Sequence, residues 1–532
     1  MHRLCLPRHP KPISCIELFI DMQPSHSYPC LARTRGLIKK NGVRNMTIFT
    51  RKGIEVVCAK ILDSRFTAYF LASIIIGVHY TPLLKFYFFA DDFNFLYRAK
   101  YHFSFYNVFI YQFFHGFFYR PIAEGCLYGF FYSLFGINPI GFRAVIICVL
   151  LLNVLLVYEL SLLITKRRYI ACAACIFYVT RVALALAVLW IAAGFEELAC
   201  TFFMLLTILF YLLHLRNNSR FLYLAGIMTA LLAQLSKESA IVIPLVIVMI
   251  ECLMRNGNVN VQNLKKAFLK VIPFCIIAAI PLMRFALDTD FAKYRENVYV
   301  TSLSFHVLLK NSFYFITQSF NNTPELLLAA VFLAAAFLCL FNKGYQIKQV
   351  CFACGLLAAA ILPFLTLTGE LSSYYLSFFL AGLSLLLSIG IKNISKLFPK
   401  IKFYLVLTFM FLNIFSLNTS MSRSHNFKGY YDVGMIASNA IRDLKQDHAD
   451  LPDGSLIFIK NSDRNLFWAL GRGTLVKIIY NNTVVVYFQG ISKKKILPAV
   501  CSHIYVYTYE NKRLSFVGYQ KGAALEELVN RE

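Results

Sequence analysis

Two adjacent carboxylates stand directly after the first long apolar run of the chain. They are Asp91 and Asp92, in the stretch Phe88-Phe-Ala-Asp-Asp-Phe-Asn-Phe95. Neighbouring negative charges beside an apolar wall repel each other and lose hydration, so one of the two is expected to have a raised pKa. A carboxylate with a raised pKa suits a general base. The other interpretation is a polar helix end at a membrane interface, and position alone leaves both open.

Two further charged segments lie beside apolar runs, where an ionisable side chain is costly and indicates function by default. Tyr119-Arg120-Pro121 ends a loop that is rich in Phe and Tyr. The guanidinium of Arg120 can bind a phosphate through two parallel hydrogen bonds, or it can reach toward lipid headgroups. Glu196 and Glu197 begin an apolar helix, where the helix dipole favours a carboxylate, so capping alone would also explain them.

The segment Ser236-Lys237-Glu238-Ser239 joins two apolar runs and leaves no room for a loop between them. A lysine at such a depth needs a negatively charged partner. Two partners are open. The neighbouring Glu238 would form a structural ion pair with Lys237, and an anionic ligand would make the lysine part of a binding site.

The composition indicates what kind of protein must position these residues. The 532 residues are 58% hydrophobic and 15% charged, whereas an average soluble domain carries about 25% charged residues. A soluble fold this apolar could not cover its own surface. The composition excludes a soluble enzyme, a disordered protein and a nucleic-acid-binding domain, and it predicts an α-helical polytopic membrane protein. The 15 cysteines show no disulfide pattern, and their two Cys-x-x-Cys pairs lack His or acidic partners, so no metal site is predicted.

The apolar runs predict the membrane crossings. A bilayer core of about 30 Å needs about 20 helical residues for each crossing, and about eleven runs approach that length. They cover residues 66–89, 142–164, 169–189, 197–215, 221–236, 239–254, 267–283, 326–341, 349–367, 372–391 and 403–420. A shorter run at 122–136 is expected to lie in or near the interface.

Basic residues predict the orientation, because cytoplasmic loops are rich in Lys and Arg. Four of them precede the first run between residues 51 and 65, which places the N-terminus in the cytoplasm. With an odd number of crossings, the C-terminus lies outside, on the same face as the acids described above. Residues 1–65 are predicted to be a disordered basic segment, with Met46 as a possible true start.

The polar residues 421–532 follow the multi-span domain of residues 66–420 and are predicted to form a small α/β domain on the outer face. A helix-like stretch lies near 431–446. Apolar runs with strand character follow at Ser455–Ile459, Thr483–Phe488 and His503–Tyr509.

The order of these segments resembles the GT-C superfamily of membrane glycosyltransferases, and within it the protein O-mannosyltransferase, aminoarabinose transferase and RgtA/B/C/D-like group. The matching features, in chain order, are Ala90-Asp-Asp-Phe93, an aromatic loop ending Tyr119-Arg-Pro121, Phe135-Gly-Ile-Asn-Pro-Ile-Gly-Phe142, Trp190-Ile-Ala192 before an acid, and Leu235-Ser-Lys-Glu-Ser239. The resemblance covers roughly residues 66–420, and an outer C-terminal domain is also typical of the group.

The resemblance implies an enzyme that takes a sugar from a polyprenyl-phosphate carrier on the outer or lumenal leaflet. The sugar passes, with inversion at its anomeric carbon, to a hydroxyl of a lipid, a glycan or a protein. Asp91 or Asp92 would deprotonate the acceptor. The implied substrate-binding residues are Arg120, Glu196, Lys237, Glu238 and Tyr375, and Arg284 is a further candidate because it is a cation on the outer side. Three of these are cations that would balance the carrier phosphate, with Lys237 as the first candidate.

The implied partners are the lipid-linked sugar, its acceptor and membrane lipids, without any nucleic acid. The cofactor is unknown; a divalent metal is possible and the sequence does not require one. The implied location is a plasma membrane, such as a bacterial inner membrane, in preference to the endoplasmic reticulum.

Two segments depart from the pattern of the group. Several relatives carry His and an acid before the tryptophan, where this chain has Arg181-Val-Ala-Leu-Ala-Leu-Ala187. A late Arg-Tyr motif appears as Ser372-Ser-Tyr-Tyr375, without the arginine. These departures leave two other hypotheses: a transporter or flippase for a lipid-linked glycan, and a non-catalytic member that acts as a scaffold. A transporter would typically show repeated halves and broken helices at matching positions.

Overall fold

A computed structural model of the chain describes residues 63–116, 118–254, 261–287, 301–338, 345–369, 371–491 and 502–521. These residues belong to one compact unit. The basic segment predicted at residues 1–65 lies outside the described residues, except for its last three positions.

Helices account for nearly all of the membrane part. The first ten are α1 (Arg65–Tyr80), α2 (Asp91–Tyr101), α3 (Gln112–His115), α4 (Tyr128–Phe135), α5 (Pro139–Thr165), α6 (Arg168–Val179), α7 (Val182–Leu189), α8 (Ile191–Asn217), α9 (Arg220–Ser236) and α10 (Ile243–Met249). Short 3-10 or π-helical turns extend or connect them at Thr81–Lys85, Tyr106–Tyr111, Pro121–Leu127, Glu238–Val242 and Ile250–Met254.

The later helices are α11 (Val261–Leu287), α12 (Phe305–Gln318), α13 (Thr323–Phe337), α14 (Tyr345–Ile361), α15 (Ser377–Leu397), α16 (Lys402–Arg423), α17 (His425–Asp447), α18 (Arg464–Ala469) and α19 (Thr474–Ile479). Single 3-10 turns lie at Leu362–Phe364, Ser373–Leu376 and Gly471–Gly473. The strands are β1 (Leu456–Lys460), β2 (Val485–Phe488), β3 (His503–Glu510) and β4 (Arg513–Lys521).

Seven helices of the described residues are long and apolar enough to cross a membrane, and two bent helix pairs raise the number to nine. Helices α6 and α7 meet at 52°, and α12 and α13 meet at 106°. The predicted runs at 221–236 and 239–254 are helical as well, but each is short. Lys237 between them has an extended backbone, with φ −161° and ψ 143°, which ends the first of these helices. The chain is therefore an α-helical, multi-pass membrane protein, as the sequence predicted.

The breaks of the two bent pairs contact each other inside the membrane part. At the first break, fully buried Arg181 forms an ion pair with buried Glu325 at the start of α13. The same guanidinium donates a hydrogen bond to the side chain of Asn413. From the second break, the side-chain amide of Asn321 donates a hydrogen bond of 2.7 Å to the carbonyl of Thr180 at the first break. The last of these bonds uses a backbone carbonyl at the point where the helix is broken.

A second buried arginine positions the loop that carries the two aspartates. Arg143, near the start of α5, is fully buried. Its guanidinium donates to the carbonyls of Phe86 and Tyr87 and, at 2.9 Å, to the carbonyl of Leu189. The stretch from Phe86 to Ala90 is thereby tied to the end of α7.

The four strands form one mixed sheet in the order β2-β1-β3-β4. Strand β1 is parallel to both β2 and β3, and β3 is antiparallel to β4. The three predicted strands and the predicted helix, which lies inside α17, are confirmed. Strand β4 was not predicted. It follows a tight turn in which Asn511 and Lys512 have φ values of 51° and 63°, a hairpin geometry that the sequence would signal clearly only with glycine.

Candidate active site

Asp91 and Asp92 begin α2, and the residue before them has an unusual backbone. Ala90 has φ 53° and ψ −123°, a region that residues with a side chain rarely occupy. Such strain concentrates at functional sites, where the surrounding structure holds it. The bonds from Arg143 to the preceding carbonyls provide part of that hold.

Asp92 is fully buried, and both of its carboxylate oxygens accept hydrogen bonds. Its carboxylate accepts hydrogen bonds from the backbone N–H groups of Phe89 at 3.2 Å and Ala192 at 2.7 Å, and from the hydroxyl of Tyr128 at 3.0 Å. Burial raises the pKa of Asp92 to about 7, while the positive charge of Arg143 opposes the rise. Asp92 therefore fastens the first loop to the segment after Trp190 and has no surface that a substrate could reach.

Asp91 is the accessible member of the pair. It is partly exposed, and its carboxylate accepts a hydrogen bond of 3.3 Å from the side-chain amide of Asn94. Burial raises its pKa, and the negative charge of Glu196 raises it further. The positive charges of Arg472 and Arg120 act in the opposite direction. A raised pKa and an accessible oxygen are the properties that a general base needs.

A buried ionic cluster lies beside Asp91 and centres on Arg120. This arginine is 5% exposed. Its guanidinium forms a bidentate pair with Glu238, at 2.7 and 2.5 Å, and a salt bridge of 2.5 Å with Glu196. A third acid, Glu124, lies 3.5 Å away. The guanidinium also stacks on the ring of Phe118, 4.1 Å from its centroid.

Lys237 is the second cation of this cluster and is 2% exposed. Its ammonium forms an ion pair with Glu197, lies 3.6 Å from Glu196, and lies 4.8 Å from the ring centroid of Tyr375. Of the two partners left open for Lys237, Glu238 is not the one that it binds, because Glu238 pairs with Arg120 and Lys237 pairs with Glu197. The extended backbone at Lys237 explains this, since neighbouring side chains of an extended segment point to opposite sides.

Glu124 also belongs to the cluster, although it was not among the residues selected from the sequence. Its carboxylate accepts a hydrogen bond of 3.1 Å from Gln112, and Arg98 lies 3.5 Å away. Burial raises the pKa of Glu124 to about 8, against the opposing charge of Arg120. Its spacing of four residues after Arg120 was the available signal, because residues i and i+4 are neighbours on a helix.

Of the residues selected from the sequence, the structure thus brings together Asp91, Arg120, Glu196, Lys237, Glu238 and Tyr375. Asp92 lies beneath them in the core. Arg284 lies in the last turn of α11, and its guanidinium donates a hydrogen bond to the carbonyl of Gly116 in the aromatic loop. In the described part of the chain, no group of three or more His, Cys, Asp and Glu side chains is arranged to hold a metal ion.

An aromatic wall borders the site and joins the membrane part to the C-terminal region. Its centre is Trp190, whose ring lies 5.9 Å from Phe89, 5.4 Å from Tyr374, 5.6 Å from Tyr430 and 5.7 Å from Trp468. Offset and edge-to-face pairs at these distances stabilise a core beyond the area that they bury. The C-terminal region is therefore packed onto the site itself.

Comparison with solved structures gives matches of similar overall architecture. ArnT from Cupriavidus metallidurans in the apo state has a TM-score of 0.49 and 12% identity, and the match covers 83% of this chain and 92% of ArnT. The same protein bound to undecaprenyl phosphate has a TM-score of 0.45 and 12% identity, and it covers 86% and 92%. The Archaeoglobus fulgidus oligosaccharyltransferase in the apo form has a TM-score of 0.44 and 11% identity, and it covers 82% and 65%.

These matches describe a likeness in overall fold. No family model and no curated protein matches the chain. Identities of 11–12% and TM-scores below 0.5 leave the activity of this chain to be argued from its own residues.

Proposed function

We propose that this protein is an integral-membrane glycosyltransferase, which moves a sugar from a polyprenyl-phosphate carrier to an acceptor hydroxyl. One observation carries the proposal. The accessible carboxylate of Asp91 lies beside a buried ionic cluster, directly after a helix that is long enough to span a membrane. A lipid-linked sugar brings its reacting bond to this depth, because the carrier tail stays in the bilayer while the sugar is polar.

In this proposal Asp91 is the general base. It takes the proton of the acceptor hydroxyl while the acceptor oxygen bonds to the anomeric carbon. The bond from that carbon to the carrier phosphate breaks on the opposite side, and its electron pair leaves with the phosphate. One displacement of this kind inverts the anomeric configuration. Removing a general base usually lowers the rate by about 10²–10⁴-fold.

In this proposal the side chains of the ionic cluster form a preorganised sugar-binding surface. Glu196 and Glu238 are strong acceptors for sugar hydroxyls, and Arg120 and Lys237 hold them in fixed orientations. Tyr375 adds an aromatic face next to Lys237. Arg284 contributes indirectly by holding Gly116, which lies in the same loop as Arg120. Fixed side chains lose little entropy when a substrate binds, which favours catalysis over loose binding.

The test compares cells that lack the gene with cells that carry the wild-type or the Asp91→Asn protein. We expect loss of the gene to leave a carrier-linked sugar unused and to remove one residue from a surface glycan. Asp91→Asn should reproduce both effects at normal protein levels. If the glycans and the lipid-linked sugars are the same in all three strains, the proposal is wrong.

The transporter hypothesis is favoured by one observation, the contact between two broken helix pairs. Discontinuous helices that meet near the membrane centre are a feature of many transporters. Here the breaks are occupied by the buried pair of Arg181 and Glu325. The two functions separate in detergent micelles, where no compartments exist. A transferase turns over its donor there, whereas a transporter has no measurable product.

A further inference from the structure

A turn of the C-terminal region packs directly on the start of α2. The turn is Gly471-Arg472-Gly473, and its three residues have φ values of 56°, 59° and 94°. A Cβ atom on Gly471 would lie 2.8 Å from the carbonyl oxygen of Ala90 and 3.0 Å from the Cβ of Phe93. The backbone of the turn can approach Ala90 this closely because residue 471 is glycine.

A chain of hydrogen bonds fixes the turn on its other side. The hydroxyl of Thr474 donates to the amide oxygen of Asn94 at 2.9 Å. The amide nitrogen of Asn94 then donates to Asp91 at 3.3 Å. Arg472 therefore stands between two anchored points, next to the residue proposed as the general base.

Arg472 differs from the two buried cations of the site. Arg120 and Lys237 already form salt bridges with glutamates. The side chain of Arg472 is exposed, and within the described part of the chain it makes no salt bridge or hydrogen bond. Its positive charge nevertheless acts on Asp91. Arg472 is thus a cation at this site whose charge remains available for an incoming anion.

We propose that Arg472 binds the phosphate of the polyprenyl carrier, so that the C-terminal region completes the active site. This inference rests on the proposed function and names the phosphate-binding residue of the same site. In the displacement described above, the carrier phosphate gains negative charge as its bond to the anomeric carbon breaks. A guanidinium can hold two phosphate oxygens at once, and its charge stabilises the transition state more than the ground state.

The proposed base and the proposed phosphate ligand do not neutralise each other by a direct ion pair. Asp91 and Arg472 interact electrostatically but form no salt bridge within the described residues. Arg472 can therefore pair with an incoming phosphate while Asp91 accepts a proton. The strained backbone of Ala90 contacts the turn, and this contact holds the two residues near each other.

The experiment measures how strongly the full-length protein in lipid nanodiscs prefers polyprenyl phosphate to the polyprenol of the same chain length. The variants are Arg472→Asn, Arg472→Lys and a matched control, Arg464→Asn, at another exposed arginine of the same region. Asparagine tolerates positive φ values, so Arg472→Asn should keep the turn. We expect it to reduce the preference by about tenfold or more, Arg472→Lys to reduce it less, and Arg464→Asn to leave it unchanged.

The outcomes separate this inference from the proposed function. If the wild-type protein does not prefer the phosphate, the proposed carrier is wrong and both fail. If the wild type prefers it and Arg472→Asn keeps that preference, Arg472 is not the phosphate-binding residue, whereas the proposed function stands. Displacement of polyprenyl phosphate by an equal concentration of inorganic phosphate would assign Arg472 to a free anion and also overturn the inference. If Arg472→Asn does not accumulate, Arg472→Gly, which relieves the positive φ, takes its place in the same comparison.

Discussion

Two buried arginine clusters of this protein contain similar residues but have different roles. Arg181 lies at the crossing of two broken helices and faces one acid, Glu325, together with neutral partners such as Asn413. Arg120 lies beside Asp91 and faces three acids, while Lys237 pairs with a fourth acid, Glu197, and Arg98 lies close to Glu124. In the first cluster one cation pairs with one acid, and both side chains are fully buried. In the second cluster the acids outnumber the cations, and Asp91 beside them is partly exposed.

The difference separates a structural cluster from a site. A buried ion pair is rarely a large source of stability, but removing one partner is costly, because a bare charge then remains in the core. The Arg181 cluster therefore fixes the crossing of the helices. In the Arg120 cluster one guanidinium is shared among Glu124, Glu196 and Glu238, so a polar substrate can compete for these bonds.

The largest expected effect is on activity at the second cluster. Asp91→Asn should lower turnover by about 10²–10⁴-fold and leave the melting temperature unchanged, because Asp91 has one weak hydrogen bond and is partly exposed. Asp453→Asn, at an exposed aspartate of the C-terminal region, is the matched control. Turnover with purified lipid-linked sugar checks the prediction, and wild-type activity in Asp91→Asn would remove Asp91 from the mechanism.

The next effect is on folding at the first cluster. Arg181→Met leaves Glu325 buried without its cation, a loss of about 3–5 kcal/mol in the free energy of unfolding for pairs of this kind. We expect little folded protein from the single variant and substantial recovery from Arg181→Met combined with Glu325→Gln. Yield and thermal unfolding in detergent measure both. A single variant as stable as the wild type would contradict the structural assignment.

A smaller effect is expected at Lys237, which combines a structural role with a role in substrate binding. Lys237→Met should lower stability because it leaves Glu197 unpaired. Adding Glu197→Gln should restore stability but not activity, since Glu196 then lacks one of the cations that orient it. Unfolding temperatures and donor turnover are compared for the three proteins. Full recovery of activity in the double variant would show that Lys237 has no part in substrate binding.

The smallest expected effect is a pH dependence of stability at Asp92. Its pKa is raised to about 7 in the folded protein, against about 3.9 in an unfolded chain. Between these values the folded state holds the extra proton, so this residue's contribution to stability falls as pH rises from about 4 to 7. Asp92→Asn should be less stable overall because it disrupts three hydrogen bonds. Its melting temperature should also change less between pH 5 and pH 7.5 than that of the wild type, and an equal change would contradict the assignment.

Much of the fold could be predicted because its signals are local. Each apolar run corresponds to a helical segment, since a chain in a bilayer must satisfy its own backbone hydrogen bonds. The bends were not predicted. The break between α6 and α7 comes at Thr180 and Arg181, without proline or glycine, and it is stabilised by Glu325 and Asn413 from distant helices. No local sequence pattern indicates partners that lie on distant helices.

The site shows the same division. Asp91, Arg120, Glu196 and Lys237 could be selected because each is a charge at the edge of an apolar run. Their pairing could not, so the sequence left the partner of Lys237 open between Glu238 and a ligand, whereas the structure pairs it with Glu197. Arg143 is also a charge near the start of an apolar run, so the same signal marks it. Tyr128 and Thr474 carried no signal, because an isolated hydroxyl residue has meaning only through its partner.

The sequence by itself determined that this is a multi-pass helical membrane protein, where its helices run, and which charges must be accounted for. Hydrophobicity and charge are properties of single residues and short windows, so they can be read along the chain. The tertiary structure alone decided which aspartate is accessible, which acids neutralise Arg120 and Lys237, and that Arg472 comes to lie beside Asp91 from 381 positions away along the chain. Those facts depend on distances between segments, and a distance in space is set by packing and not by the order of residues.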